Sequence, residues 1–337
     1  MGSQVNQGTG TKQAKQTYKA DMRRFWRILL KAVIIYAVIS VIAGIALAEL
    51  SLHLYHKKLT HQHQFEQRFR PYGAHLQPLE IRAADGAVLR GWYSVPANDN
   101  GKAVILLHGI TDNREGIAGF GEMFLARGYR VLLPDSRAHG ESGGAVATYG
   151  LLEADDIHRW VSLLYDRGAT CVDGFGASLG AALVLESMGV ERRYCAVVAD
   201  SPFSTFRRVA YDREGFFVGL GPWFGRSFGL LPTEVALRYA EWRYGYDLQQ
   251  ANPLDAVKDT STPVFLIHGT ADINILPRHS VIIAKSNPDH IQLWMIPGAH
   301  HTTTAQIAGD EYGRRVLTFF ESHDQEARRA ASQRLPD

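Results

Sequence analysis

Apolar positions in this 337-residue chain fall into two regimes. Residues 32–48 carry no charge; at about 1.5 Å per residue they reach about 26 Å as a helix, and including 28–31 brings this to about 32 Å, the thickness of a bilayer core. Lys31 then lies near one end, where its stem can reach the headgroups. The pattern predicts a membrane-spanning helix over 28–48. The alternative is a cleaved leader, because Ala46-Leu47-Ala48 imitates a cleavage site, but the apolar run is longer than such leaders carry. Further on, 79–82 and 88–93 flank an Asp85-Gly86 turn and read as a β-hairpin. Short apolar runs follow at 103–107, 129–133, 171–172, 196–199, 264–267 and 291–296, with helical patterns at 120–127, 152–165 and 181–188 between them. Apolar strands alternating with helices predict an α/β fold, a mostly parallel sheet with helices on both faces.

Composition changes this picture little: 46% of residues are hydrophobic and 21% charged, which suits one globular domain plus an appendage. The net charge of +2 is unevenly spread. Through Lys31 there is a surplus of six positive charges, so the remainder carries −4, and a slightly acidic body excludes a nucleic-acid footprint. Arg23, Arg24, Arg27 and Lys31 flank the N-terminal end of the apolar run; that bias predicts a cytoplasmic N-terminus with the body on the far side. The first twenty residues look disordered. The organisation expected is a basic tail (1–27), an anchor (28–48), a connector (49–75), a folded domain (76–325) and a short tail (326–337). In the connector, His53, His56, His61 and His63 have no carboxylate or cysteine grouped with them to make a metal site. Cys171 and Cys195 lack the number and spacing of a disulfide framework; they are expected to fill strand starts, and a bridge needs neighbouring strands and an oxidising compartment.

In parallel sheets ligands gather beyond the carboxyl ends of the strands. Those ends carry His108-Gly109-Ile110, Asp135-Ser136-Arg137, His268-Gly269-Thr270-Ala271-Asp272 and Pro297-Gly298-Ala299-His300-His301. Most telling is Gly176-Ala177-Ser178-Leu179-Gly180, where an apolar run enters a sharp turn and a small-residue helix leaves it, so that the serine hydroxyl is held up and exposed. Ser142, in Gly140-Glu141-Ser142-Gly143, has no strand leading into it and reads as a turn residue.

Serine, acid and histidine in that chain order, with these loops, make the chain resemble the α/β-hydrolase superfamily. It is most similar to the membrane-associated serine aminopeptidase-like and Bem46-like groups, over about residues 79–320. The resemblance implies Ser178 as nucleophile, His301 as base and Asp272 as the acid that orients it, with Asp200 as a rival acid and His300 as a rival base. It implies backbone donors at Ile110 and Leu179 for the oxyanion, no cofactor and no metal. His108, Asn113 and Arg114 are expected to be structural, and Asp200 to cap the segment after it. Between 203 and 252 the alternation stops and Phe216, Phe217, Trp223, Phe224, Phe228, Tyr239, Trp242, Tyr244 and Tyr246 crowd together; this stretch is expected to be a lid whose aromatics line an acyl pocket. The function expected is a membrane-anchored serine hydrolase of esters or thioesters. An amidase or aminopeptidase using the same residues, and a tethered binding module without turnover, are the alternatives.

Overall fold

The computed structural model describes residues 8–217 and 219–333. Eight strands form one sheet: β1 (Gln77–Arg82), β2 (Val88–Ser94), β3 (Lys102–Leu107), β4 (Arg130–Pro134), β5 (Cys171–Ala177), β6 (Tyr194–Asp200), β7 (Val264–Gly269) and β8 (Ile291–Ile296). Their order is β1-β2-β4-β3-β5-β6-β7-β8; β1 and β2 pair antiparallel, β2 meets β4 antiparallel, and β4 through β8 run parallel. The helices are α1 (Gly8–Leu52), α2 (Gln62–Phe69), α3 (Glu115–Leu125), α4 (Glu153–Asp166), α5 (Leu179–Ser187), α6 (Phe206–Phe217), α7 (Pro222–Gly225), α8 (Leu230–Tyr244), α9 (Pro253–Val257), α10 (Arg278–Ser286), α11 (Thr304–Ala308) and α12 (Asp310–Gln333).

Side chains alternate across a strand, so a strand buried on both faces feeds two cores. Val104 and Leu106 of β3 join Phe124, Phe175, Val316 and Phe320 on one face, whereas Ala103, Ile105 and Leu107 join Trp160, Val161, Leu183 and Val184 on the other. The α/β architecture expected from the alternating runs is the one observed. Cys171 and Cys195, at the starts of neighbouring strands with Cα atoms 5.9 Å apart, are joined in a disulfide, where the sequence suggested apolar fillers.

The N-terminal helix is longer than expected. It begins at Gly8, inside the stretch read as disordered, and continues past the anchor to Leu52; residues 1–7 lie outside the described residues, as do 334–337 of the expected C-terminal tail, whose residues 326–333 continue α12. One segment of α1, Lys15–Leu52, contains an 18-residue stretch of mean hydropathy 2.6, long and apolar enough to cross a membrane. The connector is fastened to the body. Asn113 Nδ2 donates to the carbonyls of Lys57 and Lys58 (3.0 and 3.2 Å), the amides of Thr60 and His61 donate to the buried Glu115 carboxylate, and Phe65 and Phe69 of α2 enter the core beside Trp92. The connector histidines go separate ways: His53 to Glu49, His56 to the Gly140 carbonyl, His61 to Thr60.

Helices α6 to α8, inserted after β6, form a cap. Its main support is α1, which runs alongside α8 in the same direction. Tyr36 donates to the Phe228 carbonyl (2.6 Å), Gly44 packs so close to Pro232 and Val235 that an added Cβ would lie 2.6 Å from the Pro232 oxygen, and Tyr239 and Tyr244 both donate to Glu49. Ser40, Gly44 and Ala48 are buried along this seam at four-residue spacing, a small-residue ridge that lets two backbones approach.

Candidate active site

The strand order reverses between β3 and β5, the switch point at which parallel sheets open a crevice. Ser178 stands there, between β5 and α5, with φ 57° and ψ −118°, a conformation rarely adopted by residues with a side chain. The neighbouring glycines make the turn sterically feasible: an added Cβ on Gly176 would lie 2.2 Å from the Gly180 oxygen, and one on Gly180 2.1 Å from the Leu107 oxygen. The Ser178 amide donates to the Asp200 carbonyl (2.8 Å), fixing the turn to β6.

Three loops bring the sequence-nominated residues together. The Ser178 hydroxyl lies 2.8 Å from His301 Nε2, and His301 Nδ1–H donates to Asp272 Oδ2 at 2.7 Å. Asp272 is buried, its Oδ1 accepting the amides of Asn274 (2.9 Å) and Ile275 (3.0 Å). Burial works to raise its pKa, but the hydrogen bonds from His268 and His301 and from the Ile275 amide outweigh that and hold the carboxyl far below its ordinary range. His268 escaped the sequence reading as a participant. It is fully buried, its Nδ1 accepts from Ser280 (2.6 Å), and its Nε2–H points at the Ile275 carbonyl (2.9 Å) and Asp272 Oδ2 (3.4 Å). The signal that could have found it is a histidine at the end of β7, four residues before the acid.

The rival residues are engaged elsewhere. His300 turns its Nδ1 to the Ala271 carbonyl (3.0 Å) and is exposed. Asp200 does not cap the segment after it. Its carboxylate is buried under Thr304, Tyr312 (2.8 Å) and Ser201 (3.0 Å), which pins α11 and α12 to the sheet. Ser142 donates to the Asp135 carbonyl and accepts from the Arg90 amide, both at 2.8 Å, as a turn residue should.

Leu179 is the first residue of α5, so its amide has no partner within the helix. Beside it, the loop after β3 presses on the serine: a Cβ on Gly109 would lie 3.6 Å from Ser178 Cβ, and Ile110 follows. His108 shapes that loop, donating from Nδ1 to the Gly109 carbonyl (2.8 Å) and accepting the Ser136 amide at Nε2 (3.1 Å); burial keeps its pKa low, in the neutral form both bonds require. Arg114 is likewise structural, held by the buried Asp135 (2.8 Å) and lying over the Trp92 ring.

Ser178, Leu179, Ile110 and His301 open on a cavity of about 740 Å³. Its wall differs from expectation. None of the eight crowded cap aromatics whose side chains are described lines it; instead Phe203, Phe206, Val209 and Leu237 do, together with Leu47, Ala48 and Leu54 from the end of α1. Tyr239 and Tyr244 are spent on Glu49, while Trp223, Phe228 and Trp242 face outward; the Phe217 side chain lies outside the described residues. Helix α1 is therefore part of the pocket as well as an appendage to it.

A doubly wound sheet with a strained serine turn at its switch point, and a histidine and carboxylate delivered after the last two strands, defines the class. The chain belongs to the alpha/beta hydrolase family, whose model matches residues 104–312. It is 32% identical over 202 residues to the uncharacterized protein YqkD of Bacillus subtilis; the match covers 57% of this chain and 62% of YqkD, less than two thirds of that relative's length. Among solved structures it is similar to the Pyrococcus furiosus esterase Pf2001 (25% identity, TM-score 0.62, 80% of this chain and 98% of that one). A Mycobacterium tuberculosis puromycin-hydrolyzing peptidase shares the fold at 16% identity (TM-score 0.56, 75% of this chain and 40% of that one).

Proposed function

We propose that this alpha/beta hydrolase is a serine hydrolase that cleaves carboxylic esters or thioesters through an acyl-enzyme. The observation that carries the reading is the Ser178–His301–Asp272 relay, 2.8 and 2.7 Å, opening on an apolar cavity large enough for an acyl chain. His301 Nε2 takes the Ser178 proton as Oγ attacks the acyl carbon; Asp272 keeps Nδ1 protonated and stabilises the imidazolium. The amides of Leu179 and Ile110 receive the oxyanion. The imidazolium then protonates the leaving group, and water, activated by the same histidine, releases the acid. The likeness to esterase Pf2001 supports the ester side of this reading.

Helix α1 is the single membrane anchor in this proposal. The basic residues Arg23, Arg24, Arg27 and Lys31 on its leading flank support a cytoplasmic N-terminus with the body on the opposite side. Protease protection of the body in sealed vesicles, with a tag on the N-terminus exposed, is the expected result.

The chemistry is tested with p-nitrophenyl esters of short and long acids and an aminoacyl anilide, using the full chain and its Ser178→Ala variant. Ester turnover and fluorophosphonate labelling are expected, with kcat falling about 10⁶-fold in the variant. Turnover of the anilide alone would replace the esterase reading with the amidase one, and no turnover by a folded, unlabelled protein would favour the binding module.

A further inference from the structure

We propose that the tip of the cap is immersed in the bilayer beside α1, and that the pocket takes a membrane-resident acyl ester reaching Ser178 from the lipid. The substrate half of this rests on the serine hydrolase reading above. Tyr36 lies eight residues into the apolar stretch 28–48 and twelve from its end, about 12 Å and 18 Å along the helix, so whatever bonds Tyr36 is at mid-membrane when α1 spans. Its partner is the Phe228 carbonyl. The next contact, Gly44 against Pro232 and Val235, and the last, Glu49 with Tyr239 and Tyr244, keep the same register, so α8 rises out of the bilayer in step with α1.

The surface of the tip is made for that depth. Residues 216–231 contain one charge, Arg226, and it is turned back onto the Asp212 carboxylate (2.9 Å). Leu220, Trp223, Phe228, Leu230 and Leu231 are exposed, Trp223 at 67% and Phe228 at 58%, a patch of the kind that water-facing proteins avoid. The polar belt sits where the span ends: Glu49 with its two tyrosines, and Trp242, 80% exposed, on the same turn of α8. The cavity lies at the inner end of this seam, walled by Leu47 and Ala48 of α1 and Ala236 and Leu237 of α8. An amphiphile that slides along the seam with its acyl chain in lipid brings its ester to the serine without passing through water.

The test uses the full chain in vesicles of phosphatidylcholine with phosphatidylglycerol. Nitroxide labels are placed singly at Phe228→Cys, at Ile35→Cys on the exposed face of α1, and at Val190→Cys, exposed on the body. Phe228 bonds Tyr36 through its main chain, so the substitution spares the contact. The expected result is that the labels at 228 and 35 report the same lipid depth, open to oxygen and closed to an aqueous nickel chelate, while the label at 190 reports water. A label at 228 open to nickel, or closed to both reagents because another protein chain covers it, overturns the proposal. A second arm compares hydrolysis of a long-chain monoacylglycerol dissolved in the vesicles with that of a short water-soluble ester. The triple variant Trp223→Ser/Phe228→Ser/Leu231→Ser should lose about tenfold on the first and stay within about twofold on the second. Equal retention on both overturns the lipid route. Native protein that hydrolyses neither ester, with the label at 228 in lipid, sinks the hydrolase reading and the substrate half of this proposal but leaves the immersed cap standing.

Discussion

Asp272 is ionised by its surroundings. Two histidines and two amides converge on a buried carboxylate and hold it far below its ordinary range, so it keeps its charge at neutral pH. Asp272→Asn should lower kcat by about 10⁴ while retaining fluorophosphonate binding sites and fold, since the amide leaves the geometry but presents the wrong hydrogen to Nδ1. His301→Ala should abolish turnover and His300→Ala should change it only a few-fold, because the His300 ring is committed to the Ala271 carbonyl. Glu186 shows the opposite electrostatics. Burial, with one carboxylate oxygen unpartnered, raises its pKa to about 7. The unfolded chain ionises near 4.5, so the folded state loses stability as pH climbs from there to about 7 and nothing further above it. Glu186→Gln should therefore melt like the native protein at pH 4 and several degrees higher at pH 8, by calorimetry.

The strand–serine–helix unit was legible in the sequence because its causes are local: two glycines forced by close backbone approach, and a helix of small residues beginning at Leu179. The positions of Asp272 and His301 beside Ser178 were legible because each follows its own strand. What was not legible is what faces what. Trp223 and Phe228 look like pocket residues by composition, and only the packing of α8 against α1 turns them outward. That packing had a signal of its own in Ser40, Gly44 and Ala48, a four-residue repeat hidden inside a stretch whose hydropathy and cleavage-like end drew the reading instead. Gly44→Leu tests the seam. Its side chain would start 2.6 Å from the Pro232 oxygen, so α1 and α8 must part; faster tryptic cleavage of the cap and loss of long-chain over short-chain preference are the expected outcomes, with Ser178 still labelled.

Body and N-terminal helix are not separable modules here. Beginning the chain at Tyr72 removes Leu47, Ala48 and Leu54 from the pocket wall, the Phe65 and Phe69 rings from the core, and the partners of Asn113 and Glu115. Such a fragment should melt well below the full chain in a thermal shift assay and lose its acyl-chain selectivity even if it still reacts with a fluorophosphonate. The same ties fix how the body stands on its helix. Residues 53–61 have no regular structure, yet the carbonyls of Lys57 and Lys58 are held by Asn113 and the amides of Thr60 and His61 by Glu115, so the arm that joins α1 to the body is clamped to the body. With α1 spanning the bilayer as proposed, an enzyme clamped this way searches a plane instead of a volume. With a substrate dissolved in the same vesicle, velocity should follow the mole fraction of ester among the lipids, and adding inert lipid at constant bulk ester concentration should slow the reaction as a competing inhibitor would.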